Sequence, residues 1–357
     1  MKERVVRAGG SLFPSGRVCV AAVFYRIFVG EKVSLIRKPL LFVLLLSLFL
    51  CRIVADDYVA IEPRIGIMGG TVGEYLFMQK SDGHWNKNSY LEWEEVLLPT
   101  LGVAVTGMFG SISVSAYVDG VVSPRFRGIR SGNMYDSDWK IEGIKTNYSI
   151  SENVATSNVQ TGVVLRYDFA LLPFLRVAPF AEISYGYKSF EANNGYGWYG
   201  DTVAWDDPSA HYYPDEKYVL CGIDYYCHML SVYAGLSFRF LCSARVSVQA
   251  DAAFLPYAYV YAEDCHYTNV ARTKGRYYVD IVHAFGTRCK ASLSVAFRVS
   301  RFWELGITVT GLAGGVERGD TYERDTATNR LYQNKGYQGG FSVYEASARL
   351  SAKVFVF

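Results

Sequence analysis

Between Ser111 and Asp119 the chain reads SISVSAYVD, with Ile112, Val114, Ala116 and Val118 at every second position. The same beat returns in Val163, Leu165, Tyr167 and Phe169, set between Arg166 and Asp168. It returns again in Val246, Val248, Ala250, Ala252 and Phe254, and in Trp303, Leu305, Ile307 and Val309. Period two is the signature of a β-strand, because successive side chains leave opposite faces of the backbone. Here the opposite face carries charges and hydroxyls. A soluble sandwich also alternates, but its strands usually run about 5–6 residues. These segments run roughly 10–20 residues, a length that suits strands crossing a membrane on a tilt.

The connections alternate as well. Short turns are expected near Leu98–Leu101, Leu171–Phe174, Leu241–Ala244 and Val299–Phe302, and long polar loops near 79–89, 122–155, 191–225, 264–275 and 317–337. Short turns at one end and long loops at the other describe an outer-membrane barrel. Counting strands between these connections predicts an all-β fold, a ten-stranded antiparallel transmembrane β-barrel with long extracellular loops and both termini on the short-turn side. The final residues, ARLSAKVFVF, end on Phe357 with Phe355 two before it, as outer-membrane barrels usually end on a terminal aromatic residue, though Lys353 breaks the apolar parity.

Residues Pro39 to Cys51 are uncharged and strongly apolar, follow Arg37 and Lys38, and precede Ala55 and the acidic pair Asp56 and Asp57. That is the layout of a secretory signal, with removal expected after Ala55. Cys51 is the alternative, lipid-carrying position, though Phe49 and Leu50 before it fit poorly. Residues 1–55 are therefore read as an N-terminal extension plus signal peptide, and 56–357 as one barrel domain. Without the first 55 residues the chain holds 27 Lys and Arg against 32 Asp and Glu, net −5, so the overall net charge of +2 is no argument for nucleic-acid binding. The cysteines have no metal-binding spacing. Cys221 and Cys227 are close enough in a polar stretch to pair in an oxidising compartment or to remain two thiols.

Two acidic stretches carry the chemistry. GNMYDSDW, Gly132 to Trp139, holds Asp136 and Asp138; EDCH, Glu263 to His266, holds Asp264 and His266. Both are expected at the start of loops, after strands 3 and 7 of the count, which lie nearly opposite each other in a ring of ten. A carboxylate two residues from a histidine on an extended segment lies on the same side and can fix its tautomer. His266 would then act as general base on water, Asp264 as its orienter, and Asp136 with Asp138 would hold the same water, with no metal and no cofactor. Read alone, a D-x-D pair is also an ordinary solvated loop.

GNMYDSDW resembles the G-N-M-x-D-x-D-W motif of the omptin family, outer-membrane proteases built on a ten-stranded barrel. AEDCHY (Ala262 to Tyr267) resembles that family's D-x-H segment, and SFEANNGYGWY (Ser189 to Tyr199) its S-F-x-A-x-G-G-x-Y stretch. SYLEW (Ser89 to Trp93) and GEYLF (Gly73 to Phe77) resemble segments of its second and first strands. The resemblance implies an endopeptidase in which Asp136 and Asp138 form the aspartate couple and Asp264 and His266 the dyad. It also implies that Glu74 and Met134 line the pocket for a basic side chain beside the scissile bond. The expected partners are polypeptides at the cell surface and outer-membrane lipid, and the expected location is the outer membrane with the site facing outward.

The departures from the family pattern bear on specificity. The second acid of the basic pocket falls at Ala262, which weakens the preference for Arg or Lys. The family stretch W-T-D-x-S-x-H-P has no counterpart around Ile144 to Asn153. Tyr185, Tyr187 and His228 stand where the family binds lipopolysaccharide with basic residues, so dependence on that lipid is not implied. Cys265 replaces a glutamate, with its side chain expected to point away from the dyad. The alternatives are an inactive omptin-like barrel acting as an adhesin, and a channel, which ten strands leave little lumen to form.

Overall fold

The structure is a computed structural model and describes residues 58–122, 130–213, 222–269 and 271–356. The extension and signal peptide expected over 1–55, and Cys221, lie outside the described residues.

Ten antiparallel strands form a closed ring. They are β1 (Val59–Gln79), β2 (Trp85–Phe109), β3 (Ile112–Val121, resumed at Gly132–Asp138), β4 (Asn147–Tyr167) and β5 (Leu175–Tyr199). Then follow β6 (Ile223–Leu241), β7 (Val246–Tyr267), β8 (Gly275–Ala284, resumed at Arg288–Arg298), β9 (Trp303–Gly314, resumed at Glu317–Asp325) and β10 (Arg330–Val356). Each pairs with its chain neighbour, and β10 closes on β1 in continuous register from Val59↔Val356 to Met78↔Tyr337. Closure removes every unpaired strand edge, the condition for a sheet to cross a membrane.

The alternation sets the two faces. Leu165, Phe254, Leu305, Ile307 and Val309 point outward and are about half exposed, as an apolar belt facing lipid must be. Aromatic side chains rim the belt: Tyr167, Phe174, Phe240 and Trp303 at the short-turn end, and Tyr185, Tyr187, Tyr226, His228 and Tyr261 on β5–β7 at the other. The inner face at belt level is polar and pairs its charges. Arg166 meets Asp251 at 3.0 Å and Lys353 meets Glu304 at 3.5 Å. Lys188 meets Glu95 at 2.5 Å and Glu345 at 2.8 Å, and Lys290 meets Glu182 at 2.8 Å. These pairs border a cavity of about 400 Å³.

Above that cavity a layer of buried apolar side chains crosses the barrel. Trp93 stacks on Phe190 at 5.6 Å and on Tyr225 at 5.4 Å. Val72, Met134, Val260, Val282, Phe341 and Val343 complete the layer, and Leu312 of β9 packs against it.

Two expectations are corrected. Leu98–Leu101 is not a turn; it lies within β2, and the short turn is Gly110–Ser111, between Phe109 and Ile112. The irregularity near Leu98 is a bulge just before it: Val96 and Leu97 fall between Glu95↔Gly70 and Leu98↔Met68, and Leu97 has a positive φ of 49°. The expected long loops 122–155, 191–225 and 317–337 are in large part strand. The sheet continues well beyond the apolar belt, because backbone pairing between β2, β3, β4 and β5 runs as far as Tyr199.

Candidate active site

GNMYDSD is the upper half of β3, not a loop: Asp136 pairs in register with Leu91 of β2 and Ser149 of β4. EDCH is the end of β7, where Asp264 pairs with Tyr225 of β6 and Tyr278 of β8. Backbone pairing on both sides holds each carboxylate more rigidly than a loop would. Strand parity aims Met134, Asp136 and Asp138 inward from one wall and Asp264 and His266 inward from the other.

Asp264 is 2 % exposed, and its Oδ2 lies 2.5 Å from Nε2 of His266. The other imidazole nitrogen, Nδ1, is thereby left for a third group. Tyr278 meets the His266 ring edge-on at 5.7 Å between centroids and limits its rotation. Asp138 Oδ2 accepts a hydrogen bond from Asn147 Nδ2 at 3.2 Å, and Asn147 also donates to Asp201, which pairs with Lys140. Met134 is buried in the aromatic layer below Asp136.

The site stands above the lipid-facing belt, and its charges act on one another. Removal from water pushes Asp136 up to about 7, Asp138 adds to the rise, and His266 opposes it. Enclosure alone would lower the pKa of His266, but Asp264 above all, then Asp136 and Asp138, outweigh it and hold the imidazole above its ordinary value. Burial raises Glu74 well above the usual carboxylate range, and Asp264, Asp280 and Asp136 raise it further. Thus the four residues expected to do the chemistry, and Glu74, are brought into one cleft.

Cys265 faces the other way, as expected, packed against Gly275. Cys227 is a buried free thiol. Among the described residues no three His, Cys, Asp or Glu side chains converge as a metal site does. Sequence reasoning missed three side chains: Tyr225, Tyr278 and Asp280. Each occupies an inward position beside Asp264 or Ala262 in the ladder, a relation that becomes visible only once the register is known.

A ten-stranded closed barrel whose strands rise past the lipid belt to carry an acidic, histidine-bearing cleft is an outer-membrane-type barrel with a walled site at its mouth. Its fold is similar to that of the outer-membrane protease OmpT from Escherichia coli, with a TM-score of 0.71, 16% identity, and coverage of 85% of this chain and 99% of that one. The translocator domain of the autotransporter NalP from Neisseria meningitidis matches at a TM-score of 0.32 with 7% identity, over 81% of this chain and 88% of that one. The outer-membrane protein OprG from Pseudomonas aeruginosa matches at 0.31 with 8% identity, over 85% and 96%. No protein-family model and no curated protein sequence matches the chain.

Proposed function

We propose that this protein is an outer-membrane endopeptidase that hydrolyses polypeptides at the cell surface with an activated water, preferring bonds next to basic residues. The observation that carries the reading is the meeting of Asp136, Asp138, Asp264 and His266 in one cleft, with Asp264 held on Nε2 of His266. A ring of ion pairs would fill a lumen; a histidine oriented by a buried carboxylate and faced by an aspartate couple is the equipment of general-base catalysis.

In this reading a water sits between Nδ1 of His266 and Asp136. His266 takes one water proton as the oxygen bonds to the peptide carbonyl carbon. The carbon–nitrogen bond then breaks, and the imidazolium returns the proton to the leaving amine. Asp264 stabilises the imidazolium in between. Asp136, poised near neutral pH, can accept from the water as a carboxylate or donate to the developing oxyanion as an acid. Glu74 and Met134 line the wall that receives the side chain beside the scissile bond. The fold shared with OmpT, a protease by its name, supports the reading and the outer-membrane location.

The test is hydrolysis of a quenched fluorescent Arg-Arg peptide by the purified protein in detergent, beside His266→Ala. The two should show the same heat-dependent gel shift, which controls for folding. Turnover lost in the variant is the expected result. No turnover in either, across basic and neutral peptides, would overturn the reading in favour of an inactive surface-binding barrel.

A further inference from the structure

The buried carboxylates of this barrel divide into two groups. Glu95, Asp119, Glu182, Glu263 and Glu317 each face a cation: Lys188, Arg349, Lys290, Arg324 and Arg288. Asp264 faces His266. Glu74 and Asp280, 9 % and 7 % exposed, have no ion-pair partner among the described residues. The charged groups that act most on Glu74 are carboxyls, Asp264, Asp280 and Asp136, and Asp280 has the Thr321 hydroxyl as its counterweight. A buried carboxyl without a counter-charge stays protonated rather than ionised, so two that face one space can take up a cation which displaces their protons.

Three further observations define that space. Oε2 of Glu74, Oδ1 of Asp264 and the hydroxyl of Tyr225 are buried with no basic or amide group on them, and at these atoms the Glu74 and Asp264 carboxyls have only each other to share a proton with. Ala262 pairs with Asp280 across the β7–β8 ladder, so the short alanine and the long aspartate are immediate neighbours on the inner face. Gly339 of β10 lies where a Cβ would collide with the Asp280 carboxyl, and Gly339 itself pairs with Leu76, two residues from Glu74. The missing side chain lets Asp280 reach across β9 and β10 toward β1.

We propose that Asp280 is the second acid of the basic-side-chain pocket, moved one strand over from the position that Ala262 leaves empty, and that it and Glu74 together clasp a lysine or arginine of a bound polypeptide. The assignment rests on the peptidase reading for its substrate class. The nitrogen of that side chain supplies an N–H donor to Oε2 of Glu74 and a counter-charge to both carboxyls, and Ala262 and Gly339 give it room. Tyr225 presents its hydroxyl from the floor. The preference for basic residues is thereby kept by a different pair of strands.

The test separates binding from cleavage. Binding of a fluorescein-labelled Ala-Arg-Arg-Ala peptide and of its citrulline twin, which has the same shape without the charge, is read by anisotropy on the full-length His266→Ala protein in detergent. The arginine peptide should bind at least about tenfold tighter, a difference typical of one charge-paired contact. In His266→Ala/Asp280→Asn the ratio should fall to within about twofold, and adding Ala262→Asp should restore much of it. Asparagine keeps the shape, so the heat-dependent gel shift should not change. An arginine preference that survives Asp280→Asn, or none in the parent, overturns the assignment. Hydrolysis with native His266 is scored separately: cleavage with a ratio indifferent to Asp280 leaves the peptidase reading standing without this pocket. An Asp280-dependent ratio without cleavage leaves the pocket and removes the peptidase.

Discussion

Asp264 holds His266 by Nε2, at 2.5 Å, and not by Nδ1. The buried carboxylate thereby fixes which nitrogen carries the proton and which one is offered to water. Because the pair favours the charged imidazole, His266 must lose a proton at a pH above the ordinary histidine value before it can act as a base. Peptide hydrolysis should therefore be weak in mild acid and rise with pH through that elevated pKa. Asp264→Asn removes the stabilising charge, so the rising limb should move to lower pH while the maximal rate falls by about 10²–10⁴-fold. A pH–rate profile of both proteins measures the two effects; a limb that stays in place would show that Asp264 does not govern His266.

Asp280 gives the folded state an unusual pH dependence. Its carboxyl is pushed up to about 8 by burial, against about 3.9 in an unfolded chain. Between these values the folded state binds more protons than the unfolded one, so stability must fall as pH rises. Thermal unfolding in detergent should thus occur at a lower temperature at pH 8.5 than at pH 5. Asp280→Asn should make that slope shallower, with Glu74 and Asp136 supplying the rest, and raise the unfolding temperature at the alkaline end. A slope unchanged by the substitution would place the whole dependence on those two groups.

Gly339→Ala should act on the same carboxyl by steric means. The new methyl group collides with Asp280 and must displace it. The arginine preference should weaken while hydrolysis of neutral peptides changes by less than about threefold, since the displaced group lies outside the dyad and the couple. Paired kcat/KM values for arginine and citrulline peptides decide the matter.

Lys188 is 2 % exposed on its side chain and bridges Glu95 and Glu345 inside the barrel. Lys188→Met leaves two carboxylates facing each other in a closed interior, a loss of about 3–5 kcal/mol. Guanidinium unfolding should report it as a shift in midpoint. Replacing Lys188 and Glu95 together by Met and Gln should recover much of the loss, because the penalty comes from the unpaired charge.

The barrel was legible because lipid on one side and charge on the other impose period two over long segments, as in Val246 to Phe254 and Trp303 to Val309. That Asp136 and Asp138 share one face, and Asp264 and His266 another, was legible because each pair is local in sequence, two residues apart on an extended strand. A turn was expected at Leu98–Leu101 because the alternation breaks there, and the break is the bulge at Val96 and Leu97, which shifts the parity of β2 without ending it. Asp280 could not be found from the sequence. Its meaning lies in its neighbours Ala262, Gly339 and Glu74, which come from three other strands and meet only through the ladder register. The alternation in GRYYVDIVHA does place it on an inward face, with Arg276, Tyr278 and Val282, but nothing local separates it from an ordinary inward charge.

The layer built on Trp93, Phe190 and Tyr225 is usually the kind of feature credited to stability alone. Drawn from β1 to β8 and β10, with Leu312 of β9 packed against it, it is also a bulkhead. A planar-bilayer recording should be electrically silent for this reason. More broadly, a cleft sealed from beneath is vectorial: in the proposed orientation its clientele is whatever arrives from the surroundings, and the cell's own periplasmic chains have no route to the dyad. Self and foreign polypeptides would then be told apart by the side from which they approach, leaving the pocket free to recognise something as common as a single basic residue.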